Sequence, residues 1–290
     1  MSRRSFRNFG FFLIALGAIC APAKSRAATA CVWKLSGPEG KVLYLGGAVH
    51  ALQKSDYPLP AVYLQALDAS SRLAVEIDAK SLEGLAKAWS ADGKYRHGDS
   101  LKNHVDPRTY DYLRRLFTLM NVPEENFAQY RPWFIVEILQ SAAVHKELPE
   151  VGVDEYLMRR AAKRSMPVIG LESTQEHARV FSGLTDRESE ILLLTAFIPG
   201  SGEVKRETIM GAWHRGDADA LARMTQNGFR EFPAFGERLL DARNRAWVPK
   251  IENFVASGNV YFVVVGSAHF GGSNGLLALL RAKGYQIEQL

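Results

Sequence analysis

Two histidines follow apolar segments in the same way, near opposite ends of the chain. Gly47–His50 comes after the run Val42–Leu45, and Gly266–His269 comes after the run Val260–Val265. A glycine at the end of a strand lets the backbone turn where a Cβ would clash. A lone histidine in such a place more often caps or packs than reacts. Two matched segments so far apart in the sequence indicate a shared site.

Two further predicted strands end near carboxylates. The alternation in Leu73–Asp78 predicts a strand with Glu76 and Asp78 on one face, and Met166–Leu171 predicts another strand that delivers Glu172. In open α/β sheets, ligands bind beyond the carboxyl ends of the strands. We therefore expect Glu76 and Glu172 to meet His50 and His269 at that edge.

Imidazoles and carboxylates together suit a divalent metal ion: Zn, Mn, Co or Fe, with one position open for water. We predict His50, His269 and Glu76 as the ligands, with Glu76 or Glu172 available as a catalytic carboxylate. A bound ion would lower the pKa of that water and polarise a carbonyl group. In the alternative, the two histidines hydrogen-bond each other's loops, and Glu76 pairs with an arginine.

The elements that must hold these residues predict an α/β fold. Continuous apolar runs bounded by glycine are typical of strands buried on both faces of a mostly parallel or mixed sheet. Helical patterns over roughly 81–165 and 174–256 predict a large helical insertion, with one helix starting at Arg131–Trp133. The amphipathic segment Leu276–Lys283 predicts a last helix.

The first thirty residues have the pattern of an export signal. Three arginines precede the apolar run Phe11–Ala21, which is too short to span a bilayer, and the small residues Ala28–Ala30 form a cleavage site. We predict a signal peptide over 1–30, a single domain over 31–290, and a periplasmic or secreted protein.

Two details of the leader leave the export route open. The arginine pair at positions 3 and 4 resembles a twin-arginine signal, although Arg7 stands where such signals place an apolar residue. Ala28–Cys31 also permits lipid attachment at Cys31, but two basic residues separate it from the apolar run.

Charge and cysteine content exclude several classes of protein. Five of the 36 Lys and Arg residues and none of the 31 Asp and Glu residues lie in the leader, so the mature part has 31 of each. That balance removes the main support for nucleic-acid binding. Cys31 is unpaired once the leader is cleaved, so neither a disulfide framework nor a cysteine-based metal site is available. No transmembrane anchor is expected in the mature chain, and the oligomeric state is left open.

Other possible motifs carry less weight. Gly271–Gly275 matches the Gly-x-Ser-x-Gly elbow of serine hydrolases, but no histidine follows His269 to complete a triad. No nucleotide-binding glycine motif is present, so we predict no nucleotide cofactor. The remaining histidines are interpreted as surface or capping residues: His97, His104, His145, His177 and His214.

Taken together, the motifs resemble the TraB/PrgY/GumN family, to which the Tiki metalloproteases are similar. The resemblance rests on Gly47–His50, Val75–Asp78, Gly170–Glu172 and Val263–His269, supplemented by Gly152–Asp154, Trp213 with Gly216 and Asp217, and Arg243 with Asn244. It implies a core like that of the erythromycin esterases and the haem-binding ChaN proteins. In Tiki members the paired motifs support peptide cleavage that depends on a divalent metal.

The resemblance also implies roles for particular residues. His50 and His269 would be metal ligands or catalytic bases and Glu76 their acidic partner, with Glu172 and Arg243 as weaker candidates. Arg243 would hold a carboxylate in place or stabilise an oxyanion, whereas an arginine in a helical segment is often only solvated. The first hypothesis is an exported metal-dependent hydrolase acting on a peptide bond. The alternatives are a metal-free, esterase-like hydrolase, and a protein that binds haem, another small ligand or a peptide without turnover.

Overall fold

A computed structural model describes residues 30–147, 150–197 and 205–290, without the side chains of residues 142–147. The predicted signal peptide, apart from Ala30, lies outside the described residues. The strands are β1 Val32–Ser36, β2 Val42–Ala48, β3 Ala51–Leu52, β4 Arg72–Val75, β5 Glu150–Val151, β6 Val168–Gly170, β7 Tyr261–Gly266 and β8 Gln286–Gln289.

Six of these strands form one mixed sheet in the order β6-β4-β7-β2-β1-β8. The first four pair in parallel, while β1 pairs antiparallel with both β2 and β8. The predicted α/β fold with a mostly parallel or mixed sheet is therefore confirmed. The two antiparallel strands were not predicted. The exposed polar residues of β8 explain why it was missed, since only one face of this edge strand is half-buried.

Strand β7, the second to last in sequence, lies in the middle of the sheet, and its position brings the two histidine motifs together. All six of its residues are buried, as expected for a strand that is covered on both faces. It pairs with β2 on one side and with β4 on the other. The carboxyl ends of β2, β7 and β4, where the histidine motifs and Glu76 begin, are therefore neighbours.

Apart from the helix Ala61–Asp68, which was not predicted, the helices occupy the predicted helical ranges and the C-terminal segment. They are α1 Ala61–Asp68, α2 Ala79–Asp92, α3 Pro107–Leu119, α4 Pro132–Glu147, α5 Val153–Lys163, α6 Thr174–Ser182, α7 Asp186–Ala196, α8 Arg206–His214, α9 Ala218–Gly228, α10 Pro233–Gly236, α11 Ala242–Ala256 and α12 Leu276–Ala282.

Helices α2, α3, α4, α6, α7 and α10, called the helical part below, share a hydrophobic core of their own. Trp133 of α4 is buried beside the aromatic rings of Trp89, Phe134 and Phe181. These side chains belong to a cluster that is separate from the apolar core around the sheet. Because α6 starts four residues after β6 ends, its first turn lies where the helical part meets the sheet.

One predicted strand is shorter than its pattern suggests. We expected Leu73–Asp78 to be a strand with Glu76 and Asp78 on one face, but β4 ends at Val75. Asp78 instead caps α2, because its Oδ1 accepts a hydrogen bond from the backbone N–H of Ser81 at 2.9 Å. Capping an otherwise unpaired N–H stabilises the start of the helix, so the prediction for Asp78 was wrong.

Cys31 lies in the core next to the first histidine motif. Its side chain has no exposed surface, and burial raises the pKa of its thiol to about 12. Its backbone carbonyl accepts a hydrogen bond from the N–H of Gly47 at 2.7 Å. A lipid at Cys31 would require this part of the fold to release the thiol.

Within the described ranges, no helix combines the length and apolar character needed to cross a bilayer.

His104 joins two segments of the helical part through an ion-pair network. One ring nitrogen lies 2.8 Å from Asp99 Oδ2 and the other lies 2.7 Å from Asp186 Oδ2. Burial lowers the pKa of His104, but the hydrogen bonds to Asp186 and Asp99 outweigh burial and raise it above its ordinary value. The imidazolium form is therefore the one that the fold stabilises.

We predict that His104→Gln lowers the melting temperature more at pH 6 than at pH 9. A raised pKa means that the stabilisation is fully present below the ordinary histidine pKa of about 6.5 and is lost as the pH rises through the folded-state pKa. Hydrogen bonds to charged groups contribute about 1.5–3 kcal/mol each. Thermal melts at the two pH values test this, with exposed His97→Gln as the control. Equal losses at both pH values would contradict the assignment.

Candidate functional site

The end of β2, from which His50 projects, is held rigidly by side chains from three other parts of the chain. The carbonyl of Gly47 accepts hydrogen bonds from Tyr63 Oη at 2.5 Å and from Trp213 Nε1 at 2.9 Å. The hydroxyl of Ser267 donates to the carbonyl of Ala48 at 2.9 Å, which ties β2 to the turn after β7. Satisfying these buried carbonyls fixes the strand end, and with it the starting point of His50.

His50 is the exposed member of the site, with 61% of its side chain open to solvent. Its Nδ1 lies 3.4 Å from Asp154 Oδ2, at the start of α5. The negative charge of Asp154, reinforced by that of Glu76 and opposed by that of Arg243, raises the pKa of His50 to about 9. Gly152 makes this approach possible, because a Cβ there would lie 2.3 Å from the carbonyl oxygen of His50. His50 Nε2 points the other way, toward Glu76.

Gly266 forms the floor between the two histidines. A Cβ at this position would lie 3.2 Å from His50 Nε2, 3.2 Å from Glu76 Oε1 and 3.5 Å from His269 Cδ2. Three chemically active groups therefore surround the space that any larger residue would fill. The glycine of the motif thus does more than allow the strand to turn, because it leaves this space open.

Glu76 is nearly buried and remains ionised. Its Oε1 accepts the N–H of Gly266 at 2.7 Å, and its Oε2 accepts a hydrogen bond from Arg243 at 2.5 Å. Burial raises the pKa of Glu76, but the charges of Arg243 and His50 and the Gly266 hydrogen bond bring it far below the ordinary range. A carboxylate of such low basicity orients other groups better than it accepts a proton.

Arg243 connects both carboxylates to His269. Its Nε donates to Glu172 Oε1 at 2.8 Å, and one terminal nitrogen donates to Glu172 Oε2 at 3.0 Å and to Glu76 Oε2. The other terminal nitrogen lies 3.1 Å from the Leu239 carbonyl and 3.2 Å from His269 Nε2. A guanidinium has five N–H donors, and these contacts use all five. Arg243 therefore holds the site together and has no donor left for a substrate oxyanion.

The tautomer of His269 follows from its neighbours. The amide nitrogen of Asn244 donates to the Asn274 carbonyl at 2.9 Å, so the amide oxygen faces His269 Nδ1 at 2.7 Å and accepts its proton. The lone pair then lies on Nε2, where it accepts from Arg243. Burial lowers the pKa of His269 to about 3, with the Arg243 charge adding to the effect and Glu76 opposing it. His269 is a buried, neutral imidazole.

Glu172 forms the inner side of the site. Its two oxygens accept hydrogen bonds from Trp247 Nε1 and His177 Nδ1, each at 3.0 Å, in addition to those from Arg243. Burial raises the pKa of Glu172, but hydrogen bonds from His177 and Arg243 hold it below the ordinary value. The Trp247 ring lies beneath both Arg243 and His269, 4.7 Å from the guanidinium carbon and 4.5 Å from the imidazole centroid.

Helix α11 supplies three of these side chains, and its start is irregular. Residues Glu237–Asp241 form a π-helical segment immediately before it. Such segments often occur at functional sites because they change the direction of the side chains that follow. Arg243 and Asn244 then face the sheet edge, and Trp247, one turn further along, packs below them.

The structure brings together every residue that the sequence analysis proposed for the site. We call seven of the side chains the edge cluster: His50, Glu76, Asp154, Glu172, His177, Arg243 and His269. The prediction that His177 is a surface or capping residue was wrong, since only 17% of its side chain is exposed. Ser173 and Glu176 form a capping box at the start of α6, and that sequence signal places His177 one turn from the strand end. Asp154 and Trp247 had no assigned role.

The fit of a divalent ion can be tested on these distances. Glu76 Oε1 lies 3.9 Å from His50 Nε2 and 3.8 Å from His269 Nε2, somewhat more than the roughly 3.0–3.6 Å that separates ligands of one small ion. The lone pair of His269 and one oxygen of Glu76 already accept from Arg243. As arranged, these donors do not fit a metal ion. Across the described part of the chain, no three His, Cys, Asp or Glu side chains form a group able to hold one.

Fold and site together define an α/β protein with paired Gly-x-x-His motifs at the carboxyl edge of a mixed sheet. The model of the TraB/PrgY/gumN family matches residues 31–289. The chain belongs to this family. Neither the search of curated proteins nor that of solved structures gives a significant match.

We predict that Arg243→Lys lowers the free energy of unfolding by about 3–5 kcal/mol, because it leaves two buried carboxylates without matched donors. Arg245→Lys on the same helix is the control, since that side chain is half exposed and pairs with Glu237 at the surface. It should cost less than about 1 kcal/mol. Denaturant unfolding of both variants tests the difference, and equal losses would contradict a central role for Arg243.

Proposed function

We propose that this protein is a hydrolase of esters or amides in which His50 transfers the proton. The observation that supports this is the contrast in exposure within the edge cluster. His50 is open to solvent, whereas Glu76, Glu172, Arg243 and His269 are each at most 11% exposed. Asp154 holds Nδ1, so that Nε2 is the atom facing the space above Gly266.

The arrangement assigns a role to each group. The neutral imidazole of His50, favoured as the pH rises, accepts a proton from water, and the imidazolium then gives it to the leaving oxygen or nitrogen. Glu76 Oε1, 3.9 Å from Nε2, positions that water by accepting its second hydrogen. The water oxygen joins the substrate carbonyl carbon, and the ester or amide bond breaks. Arg243, Glu172 and His269 act as positioning groups behind Glu76.

The contacts of Arg243 support a metal-free version of this chemistry. The guanidinium already supplies a positive charge beside Glu76 and His269, and it occupies the Nε2 lone pair of His269 that a divalent ion needs. This proposal corresponds to the esterase-like hypothesis from the sequence.

One observation favours a second candidate, the metal-dependent peptidase predicted first. His50 Nε2, Glu76 Oε1 and the ring of His269 converge on the space above Gly266. If Arg243 withdrew from Glu76 and His269, these groups would supply two imidazoles and a carboxylate, a common ligand set for catalytic Zn. A bound ion would then supply Lewis-acid activation of water.

We predict that His50→Gln lowers kcat/KM at least about 100-fold while leaving the fold intact, because loss of a proton-transfer group costs 10²–10⁴-fold and this side chain is exposed. Asp154→Asn should give a smaller loss. The assay uses p-nitrophenyl esters and denatured casein, with His97→Gln as the control and circular dichroism to verify folding. Wild-type activity in His50→Gln would contradict the proposal. Absence of turnover in the wild type would favour a binding protein.

We predict that purified protein carries no stoichiometric metal and keeps its activity after prolonged treatment with EDTA. Elemental analysis and assays before and after chelation measure both quantities. One equivalent of Zn, Mn, Co or Fe, together with loss of activity on chelation and recovery on adding the ion back, would overturn the metal-free version. That result would establish the metal-dependent peptidase. The role of His50 would still be tested by the His50→Gln assay.

A further inference from the structure

A cavity of about 710 Å³ lies behind the turn that carries His269. It is bounded by the junction of α8 and α9, by the end of β8 and by α12. Phe270, the residue after His269, contributes to its wall, but no side chain of the edge cluster does. The cavity is therefore separate from the proposed catalytic site.

The walls of this cavity are fixed by hydrogen bonds between distant parts of the chain. Gln289 Nε2 donates to the carbonyls of Gly216 at 2.8 Å and Ala30 at 3.0 Å. Asp219 Oδ1 accepts the N–H of Gly272 at 2.8 Å. Gly216 has a φ of 66°, and a Cβ there would lie 2.1 Å from Gln289 Nε2. The cavity is thus preformed, which lowers the entropic cost of binding a ligand.

Two arginines and two aspartates line the cavity, and one of the arginines has no partner among the described residues. Arg215 and Arg281 line it together with Asp217 and Asp219. Asp217 accepts the N–H of Ala220 at the start of α9, and Asp219 accepts that of Gly272. The Arg281 side chain, by contrast, is exposed and makes no hydrogen bond or ion pair with any residue that the structure describes. Its guanidinium is available to an anion.

The apolar part of the lining indicates an organic ligand. Trp33, Leu277 and Ala278 contribute apolar side chains beside the arginines. The volume lies in the range of about 300–1,000 Å³ that is typical of sites for small molecules. We propose that this cavity binds a small organic anion, a carboxylate or a phosphate monoester, through Arg281.

Isothermal titration calorimetry of the mature chain, residues 31–290, at constant ionic strength tests this proposal. The probes are succinate and glycerol 1-phosphate, with neutral succinamide and glycerol as their matched controls. We expect one or both anions to bind and neither neutral compound to do so; which anion binds identifies the head group. Arg281→Gln should weaken binding about tenfold or more, equivalent to about 1.4 kcal/mol. Arg96→Gln removes the same charge from an exposed loop of the helical part and should leave the affinity unchanged.

Two further variants separate this site from the catalytic one. Ala278→Trp fills the cavity without changing its charge and should abolish binding. His50→Gln should bind the anions as the wild type does, because His50 does not line the cavity. A weak small-molecule site is expected to have a Kd of about 1 mM. The proposal is overturned if neither anion binds at ten times that concentration. It is also overturned if neutral and anionic probes bind alike, or if His50→Gln but not Arg281→Gln removes binding.

Discussion

The buried guanidinium of Arg243 is the contact on which the site depends. Two carboxylates at the ends of neighbouring strands, each nearly buried, would repel each other and lose their hydration without it. Arg243 Nε and one terminal nitrogen pair with both oxygens of Glu172, and the same terminal nitrogen reaches Glu76. Its other terminal nitrogen reaches His269. Helix α11 must therefore lie across the sheet edge for the fold to bury these charges.

The site also requires glycines, because it is built from backbone segments that approach each other closely. At Gly47, a Cβ would lie 2.8 Å from Ser267 Oγ, and at Gly152 it would meet the backbone of His50. Larger residues would push the two histidine-bearing turns apart by more than a hydrogen bond tolerates. Glycine in both histidine motifs thus follows from packing between the turns as well as from the turn of each strand.

Much of the fold and part of the site were predictable from the sequence. The apolar runs of β2 and β7 are long and bounded by glycine, so the sequence identified them as strands. Because ligands bind beyond the carboxyl ends of parallel strands, both histidines and both glutamates were expected at one edge, where the structure has them. Asp78 was misplaced because a short strand and a helix cap share its alternating pattern. The saturation of Arg243 was beyond prediction, since it depends on how α11 packs against the sheet. His177 was missed although the capping box at the start of α6 marks its position.

For the proposed hydrolase, the exposure of the side chains sets the side from which a substrate would reach the edge cluster. Arg243, Glu172 and Trp247 close the inner side of the edge cluster, and their polar atoms are occupied by one another. His50 Nε2 and Glu76 Oε1 both face the space over Gly266, so a substrate carbonyl in that space would meet both groups. In the proposed hydrolase, the buried groups would act on the reaction through the charge and position of Glu76. Preorganised electrostatic catalysis requires polar groups that hydrogen bonds have fixed before the reaction begins. The interior of the edge cluster meets this requirement, and His50 would carry the one proton that is transferred.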